Sequence, residues 1–384
     1  MTFDKEDMTS SLLFFSADSH VVEPGHCYLD YVEAKYRSRV PRFEVNEHGG
    51  EMVVFEDLPS IPAAAMAPIG HELEGPGGFK AMTLAQINRG AFDPVQRLRD
   101  QDRDGVSGEV IYPSIGMYVC ASDDADYKQA CFGAYNRWLK DEFVAHAPER
   151  LIGLGLTAVR SVDEAIRDVQ SFRQMGFRGV MLPAEPATAQ DYDDASFDRL
   201  WSACTELDMP VCFHILSSRA IKRAVQSALS GKSTGRGPPA NQTQDVLREV
   251  QDIIGMFIWS GIFARHPQLK LICTEADAGW APHYMQYADH YFLDRPDKKF
   301  GSGLSRKPSE YFLQNVYLTF QKDWVALQSL PLLNSERLLW ANDFPHPDAC
   351  WPHSQELIAR HAAHLTGVQK AHIFRSNVLR VYGM

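Results

Sequence analysis

The sequence predicts a closed parallel barrel of the (β/α)8, or TIM, type, with insertions after the first and fifth strands. Three observations carry that expectation. Eight short apolar runs recur along the 384 residues, amphipathic helical patterns separate several of them, and long insertions follow two. Near-continuous apolar strands joined by helices are the signature of a parallel sheet covered on both faces. Eight of them favour closure over an open doubly wound sheet. Such a barrel takes about 250 residues, which leaves room for the insertions.

In chain order the strand candidates are 12–18, 109–115, 151–158, 178–183, 210–215, 269–275, 316–321 and 338–343. The insertion 21–100 follows the first, is rich in Pro, Gly and His, and is expected to hold a small hairpin near 43–55. Tyr135, Trp138, Leu139 and Phe143 mark a helix packed on the barrel. Val162, Ala165, Ile166, Val169 and Phe172 keep helical spacing behind a capping box of Ser161 and Glu164. Phe197, Leu200, Trp201, Cys204 and Leu207 repeat that spacing behind Ser196, and Pro210 closes the unit. The second insertion, 217–243, carries Arg219, Lys222, Arg223, Lys232 and Arg236 and no acid. It reads either as a recruiter of an anionic substrate or as a solvated loop. Both insertions are expected over the active face as lids or substrate walls. Val246, Val250, Ile253, Ile254 and Phe257 mark a further helix. The whole chain, 1–384, is read as one domain.

Composition narrows the partners. A formal net charge of −11 disfavours nucleic acid and anionic membranes. No run of about 18 apolar residues exists to cross a bilayer. Met1-Thr2-Phe3-Asp4-Lys5-Glu6-Asp7 lacks the basic start of a signal peptide. The seven cysteines form no Cys-x-x-Cys pair, and Cys204, Cys212 and Cys273 lie in apolar runs. A cytoplasmic enzyme with reduced core thiols is the expectation.

Chemistry concentrates at strand ends. Asp18 and His20 sit two apart on the first strand, so both side chains enter one space. His214 ends Val211-Cys212-Phe213-His214, Glu275 ends Leu271-Ile272-Cys273-Thr274-Glu275, and Asp343 ends the run from Leu338. Taken singly, each has an ordinary reading: a turn Asp, a core His, a capping carboxylate. A carboxylate ending an apolar strand is nevertheless costly unless paired, hydrogen-bonded or metal-bound. Four strands repeating the device point to one shared metal site, formed by Asp18, His20, His214, Glu275 and Asp343. His346 is either a further ligand or a partner of Asp343. Carboxylates mixed with imidazoles suit Zn2+, Mn2+ or Fe2+, and the absence of thiolate argues against a structural zinc. Asp343 or Glu275 is the candidate general base for a metal-activated water. His283 reads as a proton donor or as a surface helix residue. Trp280, Trp324, Trp351 and Tyr118 read as pocket lining or as core.

The chain also resembles the amidohydrolase superfamily, specifically its second family, which holds the aminocarboxymuconate semialdehyde decarboxylase-like enzymes. The resemblance covers nearly the whole chain. It rests on Asp18-Ser19-His20-Val21-Val22-Glu23-Pro24, Phe213-His214, His266-Pro267-x-Leu269-Lys270, Glu275-Ala276-x-Ala278-Gly279-Trp280, Lys307-Pro308-Ser309-Glu310-Tyr311-Phe312 and Asn342-Asp343-Phe344-Pro345-His346. It implies a divalent cation at the C-terminal ends of the barrel strands, with Asp18, His20, His214 and Asp343 in the ligand positions. Two departures stand out. Many members carry His or Glu where this chain has Asp18, and the family's decarboxylases carry a catalytic histidine where it has Glu275. A homodimer, or a hetero-oligomer with a related subunit, is the assembly that the resemblance implies.

The first functional expectation is therefore a metal-dependent hydrolase or decarboxylase acting on a small carbonyl- or carboxylate-bearing, anionic molecule, hydrolysis being preferred. The alternative is a dinuclear Fe or Mn oxygenase on the same scaffold, with Glu275 and His346 serving a second ion. A third reading is a non-catalytic partner subunit, against which every expected ligand position is filled.

Overall fold

The computed structural model describes residues 13–70, 78–233, 235–294 and 303–384. Eight parallel barrel strands follow the predicted runs. β1 (Phe14–Val21) is separated by three short insertion strands, β2 (Arg42–Val45), β3 (Glu51–Val54) and β4 (Ile61–Pro62), from β5 (Val106–Pro113). There follow β6 (Leu151–Gly153), β7 (Gly155–Leu156), β8 (Val180–Met181), β9 (Val211–His214), β10 (Leu271–Thr274), β11 (Val316–Phe320) and β12 (Leu338–Trp340). One parallel ladder runs β1-β5-β6 and the other β7-β8-β9-β10-β11-β12. β6 and β7 are separated by Leu154 alone, β6 pairing with β5 and β7 with β8. At the other seam the Asp343 N–H donates to the Asp18 carbonyl at 3.1 Å, and the Asn342 N–H to Ser16 Oγ at 2.9 Å. These bonds join the two ladders where β12 meets β1.

Every residue of β1, β9, β10, β11 and β12 is buried, which is why β9 to β12 read as largely apolar runs. Helices pack outside. In the helix Val162–Met175, Ser161 Oγ accepts the Glu164 N–H at 3.2 Å. The expected capping box is only half made, because the Glu164 carboxylate accepts from Arg160 instead. The helix Asp198–Glu206 is entered through Asp194, which accepts the Ser196 N–H at 2.9 Å, so the acid and not Ser196 does the capping. The helix expected at 135–143 is the end of Ala125–Trp138 followed by a π-turn over Leu139–Phe143.

The first insertion holds the expected hairpin, β2 against β3, with β4 added on the far edge of β3. It closes on the helix Pro94–Asp104, capped by Asp93 and ended by Gly105 at φ 75°, a left-handed position suited to glycine. Residues 71–77 of this insertion and 234 of the second lie outside the described residues. The second insertion is less loop-like than its composition suggests, since it contains the helix Ile221–Ser230. Its charge is partly answered: Lys222 pairs with Asp123 at 2.8 Å and Arg219 approaches the same carboxylate at 3.6 Å. All seven cysteines are buried free thiols. Among the described residues no helix is long and apolar enough to cross a membrane.

Candidate metal centre

The bottom of the site is built by β1. Its pairing with β5 shifts register between Ser16 and Ser19, an irregularity that re-aims side chains near the strand's end. Asp18 and His20 then both enter the barrel mouth. The His20 N–H donates to the Phe344 carbonyl at 2.6 Å, which lashes β1 to the segment carrying Asp343. β9 delivers His214, and the turns just beyond β10 and β12 deliver Glu275 and Asp343. Both of these carboxylate residues have left-handed backbones, φ 57° for Glu275 and 54° for Asp343. Such a conformation costs about 1–2 kcal/mol in a residue with a Cβ and persists only where surroundings enforce it.

The six side chains expected at the site are brought together. His20 Nε2 lies 3.3 Å from Asp18 Oδ1 and 3.4 Å from Asp343 Oδ1. His214 Nε2 lies 3.6 Å from both Asp18 Oδ1 and Glu275 Oε2. His346 Nδ1 is 3.2 Å from Asp343 Oδ1, and its ring stacks on His20 with centroids 3.9 Å apart. Asp18, His20, His214 and Glu275 form one set whose ligand atoms lie within 4.8 Å of one another. His20, Glu275, Asp343 and His346 form a second set on the same criterion.

Orientation identifies what the cluster suits. His20 Nδ1 is 3.0 Å from the Pro113 carbonyl and His214 Nδ1 is 2.8 Å from the Ile215 carbonyl. A carbonyl accepts only, so each Nδ1 carries a proton, and in the neutral ring Nε2 turns its lone pair inward. Both oxygens of Asp18 and of Asp343, with both Nε2 atoms, are buried and lack a hydrogen-bond partner. Polar atoms left so are costly. Six of them converging from three strand ends fit a divalent cation, and the oxygen–imidazole donor set matches Zn2+, Mn2+ or Fe2+.

The electrostatics agree with that reading. Burial alone would raise the Asp18 carboxyl, but the neighbouring His214 and His20 imidazoles hold it below the ordinary carboxylate range. Burial, reinforced by the His346 charge, lowers His20 to about 4, which keeps its Nε2 unprotonated at neutral pH. Burial, then the charges of Asp343 and Asp18, push Glu275 well above its ordinary value. Burial opposes protonation of His346, yet the Asp343 carboxylate holds it above the usual imidazole range.

A buried network that the sequence did not disclose supports β1 from below. Arg97, fully buried, donates to Glu109 at 2.9 Å, to the Gly90 carbonyl at 2.7 Å and to the His20 carbonyl. Glu109 also accepts from Asn342 Nδ2 at 3.0 Å, and Asn342 Oδ1 accepts from Ser16 at 3.0 Å. Ser114 Oγ lies 3.3 Å from His346 Nε2. Other expected residues fall elsewhere. His283 is exposed on the helix Ala281–Asp294, so the surface reading holds and the donor reading fails. Trp280 donates to the Ala276 carbonyl and packs on Tyr284, Trp351 is buried against Phe344, and Trp324 is 59% exposed. Tyr118 stacks on Phe55 of the first insertion.

A parallel barrel with imidazoles and carboxylates gathered at the C-terminal ends of its strands defines the metal-dependent hydrolases and decarboxylases built on this scaffold. The amidohydrolase family model matches residues 121–384, and the chain belongs to that family. It is similar in fold to an amidohydrolase from Mycobacterium avium subsp. paratuberculosis, at 19% identity and a TM-score of 0.76, covering 97% of this chain and 98% of that one. It is similar also to a 5-carboxyvanillate decarboxylase from Novosphingobium aromaticivorans complexed with manganese and 4-hydroxy-3-methoxy-5-nitrobenzoic acid. There the identity is 16%, the TM-score 0.66 and the coverage 97% and 96% of the two chains. Decarboxylase orsB of Emericella nidulans is 24% identical over 207 residues, 52% of this chain. The match spans 59% of that relative's length.

Proposed function

We propose that this chain is a divalent-metal-dependent decarboxylase of small aromatic carboxylates bearing an oxygen substituent next to the carboxylate. The observation that carries the reading is the convergence of six buried, partnerless polar atoms from Asp18, His20, His214 and Asp343. Their side chains are wholly buried, whereas Glu275 and His346 keep 20% and 15% of theirs exposed. The closed four suit a cation; the open two face the space a substrate would enter. A bound cation would supply the positive charge that grips the substrate carboxylate and its neighbouring oxygen. Likeness to decarboxylases, one of them complexed with manganese and a nitro analogue of an aromatic carboxylate, supports this substrate class.

Glu275 then takes the part that the family's strand-six histidine plays elsewhere. In its protonated form the carboxyl gives H+ to the ring carbon as the carbon–carboxyl bond breaks. Carbon dioxide leaves, the bonding pair stays on carbon and receives that proton, and Glu275 is reprotonated from water on its exposed side. The lack of a histidine therefore no longer weighs towards hydrolysis. His346, held between Asp343 and Ser114, orients the substrate's oxygen substituent. The test is carbon dioxide release from hydroxylated benzoates by manganese-loaded protein. Glu275→Gln is expected to lower kcat by about 10²–10⁴-fold, the usual worth of a general acid. Unchanged turnover in that variant, or hydrolysis of an ester or amide without decarboxylation, sinks the reading.

The two overlapping ligand sets, which share His20 and Glu275, favour one further reading: a dinuclear Fe or Mn centre serving an oxygenase. Elemental analysis decides between them. One ion per chain supports decarboxylation, and two Fe or Mn ions support the alternative.

A further inference from the structure

The turn that carries Glu275 is held from outside by a residue belonging to the neighbouring strand's loop. Glu275 and Asp277 both adopt left-handed backbones, φ 57° and 50°, directly after β10. The Glu275 N–H donates to Thr319 Oγ1 of β11 at 2.7 Å. Three and four residues further on, the N–H groups of Ala278 and Gly279 both donate to Asp323 Oδ2, at 2.7 and 2.6 Å. The other oxygen of Asp323 accepts the Ala326 N–H at 2.9 Å, capping the helix Trp324–Gln328. One carboxylate thus ties the loop after β10 to the loop after β11. Gly279 fits that tie: a Cβ there would lie 2.8 Å from Asp323 Oδ1 and 2.9 Å from the Val325 Cβ.

We infer that Asp323 is a positioning residue for Glu275, fixing the strained turn that aims the Glu275 carboxyl at the metal centre. The inference rests on the proposed placement of Glu275 beside the cation, and extends it to a residue that touches neither cation nor substrate. Without the tie, nothing else seen in the turn holds the N–H groups of Ala278 and Gly279, and the left-handed Glu275 relaxes towards an ordinary backbone. Its carboxyl then leaves the neighbourhood of His214 Nε2. Two acceptor oxygens are required, so an amide cannot replace the carboxylate fully: one of its two heads donates.

The test uses the full chain with Co2+ alone, whose visible spectrum reports the groups around the ion, and hydrogen exchange of the metal-free protein. In Asp323→Ala the amides of 276–279 are expected to exchange faster by roughly tenfold or more, the scale of losing a charge-assisted hydrogen bond. The Co2+ spectrum is expected to shift as it does in Glu275→Gln, and the double variant is expected to shift no further. Should Asp323→Ala not fold, Gly279→Ala reaches the same end by pushing the Asp323 carboxylate away, and is expected to give the same spectrum. A wild-type Co2+ spectrum in these variants, or one unlike that of Glu275→Gln, overturns the inference. A Glu275→Gln protein with an unaltered spectrum overturns the placement of Glu275 itself, and the inference with it.

Discussion

Asp343 shows how far a single residue can be pulled in two directions. Its carboxylate is wholly buried, both oxygens lack a hydrogen-bond partner, and its backbone sits at φ 54°. Without a cation these features are all costs. An unsatisfied buried polar group costs about 1–3 kcal/mol, and more when charged. Asp343→Asn removes the charge while keeping the shape. It is therefore expected to stabilise the metal-free protein by about 1–3 kcal/mol while cutting manganese binding and turnover. Denaturant melts of chelator-treated wild type and variant check the first half, and elemental analysis the second. An apo variant less stable than wild type would show that Asp343 is satisfied by something other than a cation.

At the scale of elements, the helix Pro94–Asp104 matters because its Arg97 reaches across to β1 and β5. A buried ion pair is weak evidence for stability, but breaking one by removing a single partner is severe. Arg97→Met leaves the buried Glu109 charge with only the neutral donors Gln101 and Asn342, and frees the His20 carbonyl. A loss of about 3–5 kcal/mol is expected, with much of it recovered in Arg97→Met/Glu109→Gln. Chemical denaturation reads both, and a single variant as stable as the double one would show that Glu109 is not left unpaired. This element also marks where sequence reading stops. The barrel strands were legible because burial on both faces forces unbroken apolar runs such as Leu271-Ile272-Cys273-Thr274. The clustering of the candidate site residues was legible because a carboxylate or imidazole ending such a run is tolerated only when something compensates its burial. Arg97, Glu109 and Asp323 were not. Each looks like an ordinary charged residue until the fold brings its partners to it, as Asn342 is brought to Glu109. The half-made capping box at Ser161 failed for a like reason: Arg160 competes for Glu164, and periodicity carries no trace of that.

The last barrel strand and the first meet outside either regular ladder. Between the last barrel strand and the first, the regular ladder gives way to a few bonds: Asn342 N–H to Ser16 Oγ, Asp343 N–H to the Asp18 carbonyl, and His20 N–H to the Phe344 carbonyl. The candidate cation site spans this join, because Asp18 and His20 come from one side and Asp343 from the other. β9 and β10, by contrast, pair through four consecutive residues, from Leu271 with Val211 to Thr274 with His214. A ligand that binds only the native state adds about 2.7 kcal/mol at a hundred times its Kd. That energy falls chiefly on openings that separate Asp18 from Asp343. Chelation is accordingly expected to speed hydrogen exchange at the His20 and Asp343 amides by about a hundredfold. The amides of Ile272 and Cys273, held by the longer ladder, should change far less. Uniform acceleration would mean that the cation stabilises the barrel globally. No change at the seam would mean that the two ends of the chain meet without one.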